Sequence, residues 1–489
     1  MEGDSASDLQ VNRFHPLAVD NGEDLERYEP RGFHPVHLDD YYDNHRYRVV
    51  HKLGAGGFST VWLAQDVPDQ RWVGLKFIVA DESGNYHNRS SAIIADPILA
   101  SSEFLVSPER EFWVDGPNGR HLCFVLPFVG PNLGTLSTGI YSRISPRFAA
   151  NLSMQAAQAM ALLHSRERCH GDFTANNLSL ALSEEFVLHG IEDIYRTFGN
   201  PKSWPLCLAD PDDPGPGLHA PRYFVEALDI FACSKNILAK QIRVLDFDQS
   251  FQCDSPPERT GTPAKYMAPE VTAGRPPSKA SDVWSLGCTI FRLRAGKDIF
   301  FDYNTTTPAA TLQQIQKFLG DLPESLARAL FDDDGYPTED ETGEPLTYFL
   351  DKTDLRAEIK KIWDEPPSLS MRSDGEIDTK VYTDPYNPEH SIFSEEAERV
   401  TPYPSAYRSM FWKPTAVSVD GDHYIFYEDA DSPFWGAFPL ITDNEADLLG
   451  DLLSQIFVYD PSARPNIEEI VEHPWFKQYG VWSEEEIEF

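Results

Sequence analysis

The sequence predicts an α+β protein in two parts, a small antiparallel β-sheet followed by a larger, mainly helical portion. Three observations predict it. From Tyr47 the apolar residues fall in short alternating runs rich in Val, Trp, Phe and Ile, broken by glycine turns. After Gly130 they recur every three or four residues instead. The 489 residues are 41% hydrophobic and 12% aromatic, too rich for a disordered chain and enough for two lobes.

The runs RYRVVHKLG, STVWLAQD and RWVGLKFIVA supply three strands, and REFWVDGPNGRHLCFVLPFV supplies two more around a Pro117-Asn118-Gly119 turn. Ser145-Pro146 reads as an N-cap and first-turn pair, opening a helix with Ala149, Leu152, Ala156, Ala159, Met160 and Leu163 on one stripe. Further helices are expected over 281–294, closed by Gly296, over 312–330 and over 444–458. Residues 1–46 lack periodicity and read as an extension that drapes over a lobe. The first lobe and hinge then span 47–130 and the second 131–480. Insertions are placed at 183–240 and 331–435, both proline-rich and acidic, with a tail at 481–489.

The formal charge of −37 disfavours nucleic acid or an anionic membrane as a partner and favours a cationic one. Six cysteines without a C-x-x-C pair suit reduced thiols in the cytoplasm or nucleus, rather than a zinc site or a disulfide frame. The acidic start and the lack of any long apolar run argue against secretion and membrane spanning.

Glycines in Gly54-Ala55-Gly56-Gly57-Phe58-Ser59-Thr60-Val61 would let backbone amides approach a polyphosphate; a tight hairpin explains the same residues. Lys76, on the strand that follows the hairpin, is placed to hold phosphates. In His170-Gly171-Asp172-Phe173-Thr174-Ala175-Asn176-Asn177, one carboxylate and one amide can serve a single phosphoryl transfer, the first on a substrate hydroxyl and the second on Mg²⁺. The run Val244-Leu245-Asp246-Phe247-Asp248 ends a buried-strand pattern in a second candidate Mg²⁺ ligand. Ala268-Pro269-Glu270, Asp282-Val283-Trp284-Ser285-Leu286-Gly287 and Arg464-Pro465 follow.

In this order the pieces resemble the eukaryotic protein kinase fold, a bilobal α+β architecture, from Tyr47 to about Tyr479. RGFHPVHLDD, HRYRVVHKLGAGGFSTVWLAQD, GPNGRHLCFVLPFVG and the long spacer before Asp246 are similar to the SR-protein kinases, especially their fungal relatives. Ser59 in place of a third loop glycine, and the absence of arginine before Asp172, agree with that subfamily. The resemblance implies a monomeric serine/threonine kinase of ATP and Mg²⁺ acting on basic, arginine/serine-rich proteins and thus on splicing. Lys76 would grip the α/β-phosphates, Asp172 would be the catalytic base-like residue, and Asn177 and Asp246 would ligate Mg²⁺. The loop from Leu53 through Gly54, Ala55, Gly56, Gly57 and Phe58, with Val61, would cover the nucleotide. Leu126 would lie behind the adenine, with the Pro127 carbonyl and Val129 amide bonding its edge. Glu270 and Arg464 would form a buried structural ion pair.

Some positions depart from the family pattern. No glutamate lies between Ser83 and Ser102, so the partner of Lys76 is either Asp96 or Glu103; Asp96-Pro97 reads equally as a helix N-cap. Thr174 replaces a lysine, Asp248 a glycine, and Thr262 lies one residue farther than usual from Tyr266. A catalytically weak scaffold is the alternative these departures allow. Gly171 leaves an activation-segment phosphate without its arginine, so activity is expected without phosphorylation between Asp246 and Glu270.

Overall fold

The structure, a computed structural model, describes residues 12–15, 22–87, 96–137, 143–183, 190–210, 212, 214–229, 237–301, 306–346, 352–364 and 440–481. It also describes the short strands Thr383–Asp384, Asn387–Ser391 and Phe411–Trp412. Most of the 331–435 insertion and of the 481–489 tail therefore lies outside the described residues, as does part of the stretch searched for a glutamate. The chain divides into two compact units. One comprises Met1–Ser101, Val106–Val129 and Leu182–Ile237; the other comprises Ser102–Leu105, Gly130–Ala181 and Leu238–Phe489.

The first unit is built on a six-stranded antiparallel sheet. Its strands are β1 (Tyr41–Tyr42), β2 (Tyr47–Gly56), β3 (Ser59–Asp66), β4 (Arg71–Ile78), β5 (Arg110–Gly116) and β6 (Gly119–Pro127), in the order β1-β2-β3-β4-β6-β5. Alternation along β4 sends Val73, Leu75 and Phe77 to one face, where they pack with Val49, Trp62 and Val125. Ile78 turns to the other face with Leu122 and Phe124. Gly116 pairs with Gly119, so the β5–β6 turn falls at the expected Pro117-Asn118.

The N-terminal extension completes this unit. Leu25, Tyr28 and Phe33 cluster with Ala220 and Phe224 over Val79. The Asn118 side-chain amide donates to the carbonyls of Phe33 (2.6 Å) and His219 (2.7 Å). A buried ion pair sits beneath: Lys52 Nζ donates to Glu23, which also accepts from the Tyr28 hydroxyl at 2.8 Å, and the Phe224 ring lies 4.2 Å from the ammonium. Burial depresses the Lys52 pKa, and Glu23 works against that shift. Residues 182–237, which take in most of the insertion read from the sequence at 183–240 in the second lobe, thus group with the first unit.

The second unit is mainly helical. Helix α1 (Pro146–Ser165) starts at the expected Ser145-Pro146 and buries Leu152, Ala156, Ala159, Met160 and Leu163. Helix α2 (Lys279–Ala295) is almost wholly buried and closes on Gly296 in the left-handed region at φ 70°. The single helix expected over 312–330 is instead α3 (Pro308–Leu319) and a turn at Glu324–Ala327. Gly320, at φ 82°, and Pro323 interrupt the helical path between them. Helix α4 (Asp443–Ile456) follows the expected fourth helix. Trp284 on α2 anchors the core, its ring centroid 5.2 Å from Phe300 and 4.9 Å from Phe457. Two short ribbons complete what positions the chemistry: β7 (Arg168–Cys169) with β10 (Phe251–Gln252), and β8 (Leu178–Leu182) with β9 (Leu238–Val244). No helix of the described residues is long and apolar enough to cross a membrane.

Candidate active site

In the first unit, strand register puts four of the proposed nucleotide residues, Gly54, Val61, Lys76 and Leu126, on one face of the sheet, while Pro127 pairs with Val73 on the other. Lys76 is paired across with Val61 on β3 and Phe124 on β6, while Gly54 opposes Val61 and Leu126 opposes Gly74. Directly paired residues point to the same side. Lys76 is buried, its Nζ 5.8 Å from the centre of the Tyr86 ring. Gly74, which sequence reading passed over, lacks a side chain where one would come within 4 Å of both Leu53 and Leu126. The Leu53 and Leu126 side chains thus flank the space that a side chain at 74 would fill.

Gly56 pairs with Ser59, so Gly57-Phe58 form the turn between β2 and β3. None of Gly54, Gly56 and Gly57 has a positive φ, and a Cβ at any of them would meet nothing within 4 Å. Neither backbone conformation nor crowding within the chain therefore calls for glycine there. The tight hairpin is present, and its glycines leave room beside the backbone on the side a Cβ would occupy. Phe58 is half exposed at the tip. Pro127 ends β6, and Val129 is partly buried two residues on.

Asp96 is the N-cap of a short helical turn, Pro97–Ala100, its carboxylate accepting from the amides of Ile98 (2.9 Å) and Leu99 (3.4 Å). The capping reading of Asp96-Pro97 is thus realised. The carboxylate of Glu103, in the second unit, accepts from the Gln241 amide at 3.4 Å.

The loop over residues 170–177 in the second unit hangs from one buried carboxylate. Asp282 on α2 accepts from the backbone amides of His170 (2.7 Å) and Gly171 (3.0 Å), and its Oδ2 lies 3.2 Å from His164 Nε2. Those bonds engage two members of the buried cluster of His164, Cys169 and Asp282. Sequence reading noted Asp282 only as part of a helix; its distance along the chain from residue 170 hid the role.

His170 is held on both ring nitrogens. Nδ1 accepts from the Asp172 amide at 3.2 Å, so Nε2 carries the proton and donates to the Leu245 carbonyl at 3.0 Å. Burial lowers its pKa and keeps the ring neutral, although Asp282 pulls the other way. Phe173 and Phe247 pack against it, with centroids 5.4 and 5.1 Å away.

Asn177 donates through its amide nitrogen to Asp172 twice, to Oδ2 at 2.7 Å and to the carbonyl at 2.8 Å. This turns its Oδ1 away from Asp172, as a cation ligand would require. The Leu245 amide donates to the Asn177 carbonyl at 2.8 Å, which places Asp246 beside that asparagine. Asp246 is exposed and adopts φ 62° and ψ 70°, a left-handed conformation uncommon outside glycine, while Phe247 turns inward. Asn177 and Asp246 thus offer oxygen donors of the kind Mg²⁺ takes.

Gly171 has a positive φ of 78°, and a Cβ there would lie 2.3 Å from the Gln249 carbonyl oxygen. The backbone itself excludes a side chain, and therefore an arginine, at this position. Thr262 reaches the same place: its hydroxyl donates to the Gly171 carbonyl at 2.5 Å, despite the extra residue before Tyr266. The Gln249 side chain accepts from the Gly261 amide at 3.2 Å, tying the two limbs of this segment together. Thr174 is buried, and Asp248 lies within the turn that follows Asp246.

The expected ion pair is present and two-pronged. Arg464 donates to Glu270 at 2.7 and 2.6 Å, to the carbonyls of Val458 and Ala280, and its guanidinium lies 5.0 Å from the Trp284 ring centre.

Residues 233–476 match the protein kinase domain family. The chain carries a protein kinase domain. Among curated relatives it is 33% identical over 179 residues to the serine/threonine-protein kinase spk-1 of Caenorhabditis elegans. It is 31% identical over 175 residues to SRSF protein kinase 3 of Homo sapiens, and 31% over 181 residues to protein kinase dsk1 of Schizosaccharomyces pombe. Each match takes in 34% of this chain and 17%, 30% and 32% of the respective relative, so the chain spans a third or less of their lengths. The kinase fold and the likeness to SR-protein kinases, expected from the motifs, hold.

Proposed function

We propose that this kinase domain transfers the ATP γ-phosphoryl group to serine in basic, arginine/serine-rich proteins. The observation that carries the reading is the catalytic-loop geometry: Asn177 is bonded to Asp172, and Asp246 is brought beside Asn177 through Leu245. Asp172 would accept the hydrogen bond of the substrate hydroxyl, with its carboxylate oriented by Asn177. Asn177 and Asp246 would hold Mg²⁺, which when bound neutralises charge on the phosphates. Lys76 would engage the α/β-phosphates, and the glycine turn, where no side chain crowds the backbone, would let phosphate approach its amides.

The substrate class rests on the likeness to SR-protein kinases and on the charge of −37, which draws arginine-rich peptides. Peptide KM should therefore rise steeply with salt, and a flat response would remove the steering argument. We further infer that activity needs no activation-segment phosphate. The Gln249–Gly261 and Thr262–Gly171 bonds supply uncharged ties in that segment, and Gly171 leaves no room for a phosphate-binding arginine. Loss of activity on dephosphorylation would overturn this. A location in the cytoplasm or nucleus, which the free thiols favour, and a monomeric state complete the proposal.

The test pairs a thermal-shift titration with ATP and Mg²⁺ with phosphate transfer to an arginine-serine peptide, using Asp172→Ala as control. A nucleotide-dependent shift and transfer abolished by Asp172→Ala are expected. A shift without transfer in the wild type would favour a nucleotide-binding scaffold instead.

A further inference from the structure

Cys169 and Cys253 stand far apart in the sequence, yet β7 and β10 bring them together. Cys169 pairs with Phe251, Arg168 with Gln252, and the Cys253 amide donates to the Glu167 carbonyl at 2.9 Å. The two cysteines therefore occupy diagonal positions on the same face of the ribbon. Their sulfurs are 3.5 Å apart, close enough for one thiol to donate to the other. Cys169 is buried and Cys253 partly exposed. Cys169 immediately precedes the catalytic loop, and Cys253 lies in the segment that leaves the metal-binding Asp246.

We propose that Cys169 and Cys253 form a reversible disulfide that pulls the catalytic loop out of register when a peroxide is present. Peroxide reaches the exposed member first. The Cys253 sulfur attacks one peroxide oxygen, the O–O bond breaks, and a sulfenic acid and one water result. The Cys169 sulfur then attacks the sulfenic sulfur. The S–O bond breaks, a second water leaves with the thiol proton, and an S–S bond forms; two electrons in all pass from the sulfurs to the peroxide.

A disulfide bond is about 2.05 Å long, so the sulfurs must close from their present 3.5 Å. The strain falls on β7, three residues before Asp172, while Asp282 holds the backbone between them. Misplacing a catalytic group by about 1 Å can cost about 10²-fold in rate. Burial raises both thiol pKa values, and the nearby Lys279 ammonium offsets part of this. The pair should accordingly ignore mild oxidation and respond to sustained peroxide.

The effect on phosphate transfer rests on the kinase reading; formation of the bond does not. The full chain, reduced, is treated with graded hydrogen peroxide and read by non-reducing peptide mass spectrometry, by hydrogen exchange over residues 168–177 and by peptide phosphorylation. We expect a linked Cys169–Cys253 peptide, altered exchange in the loop and at least a tenfold fall in transfer, all reversed by dithiothreitol. Cys253→Ser and Cys169→Ser should each abolish the linkage and keep transfer at the same peroxide dose. The proposal is overturned if the exposed Cys207 is oxidised at doses that yield no linked peptide, or if wild type and Cys253→Ser lose activity equally. A linked peptide with altered exchange in a protein inactive even when reduced would sustain the cysteine pair and sink the kinase reading.

Discussion

Replacing Asp282 with asparagine tests the idea that one carboxylate holds the catalytic loop. Its two oxygens take the amides of His170 and Gly171 at 2.7 and 3.0 Å, and Oδ2 also faces His164. Hydrogen bonds to a charged acceptor are worth about 1.5–3 kcal/mol each. Asparagine keeps one acceptor and sets an NH₂ against the other amide, so one such bond is lost and a buried N–H is left unsatisfied at about 1–3 kcal/mol. The total expected for Asp282→Asn is about 2.5–6 kcal/mol. Urea denaturation followed by tryptophan fluorescence measures it. The same change frees the backbone two residues before Asp172, so peptide phosphorylation should fall about 10²-fold under conditions where the variant is still folded. A variant within about 1 kcal/mol of wild type and with unchanged turnover would refute the argument.

Gly171→Ala must place a side chain at φ 78° against the Gln249 carbonyl, so urea denaturation should show a loss of at least about 1–2 kcal/mol. Turnover should fall with it, and a neutral result would mean the loop relaxes freely. Glu270→Gln leaves the buried Arg464 guanidinium without its counter-charge and should cost about 3–5 kcal/mol by the same assay. A cost below about 1 kcal/mol would show that the Val458 and Ala280 carbonyls suffice. Burial in the first unit, with His121 adding to it, lowers the pKa of His34 to about 3. The unfolded chain takes up that proton near 6.5 and the folded one does not, so stability is complete above 6.5. It then falls as pH drops towards 3, by up to about 1.4 kcal/mol per unit. His34→Phe, next to Phe77, should flatten that slope in a pH series of urea melts; an unchanged slope would place the acid sensitivity elsewhere.

Much of the site was legible because its chemistry is local. The Asp172–Asn177 bonds join residues on one short loop, and Lys76 needs only the period of its strand to share a face with Val61. Gly74 was missed because its role is an absence, noticeable only between Leu53 and Leu126. The helix expected over 312–330 failed at Gly320 and Pro323, where apolar spacing continued but the backbone could not.

Residue order alone determined the strand and helix types, the Pro117-Asn118 turn, the loop pairing of Asp172 with Asn177 and the kinase resemblance, since each depends on neighbours within a few positions. Tertiary structure decided the contacts that join distant residues: Asp282 beneath His170, Thr262 against Gly171, Cys169 beside Cys253, and residues 182–237 in the first unit. Periodicity says which face of an element is apolar. Which other element covers that face follows only from packing the whole unit, where buried groups must all find partners at once.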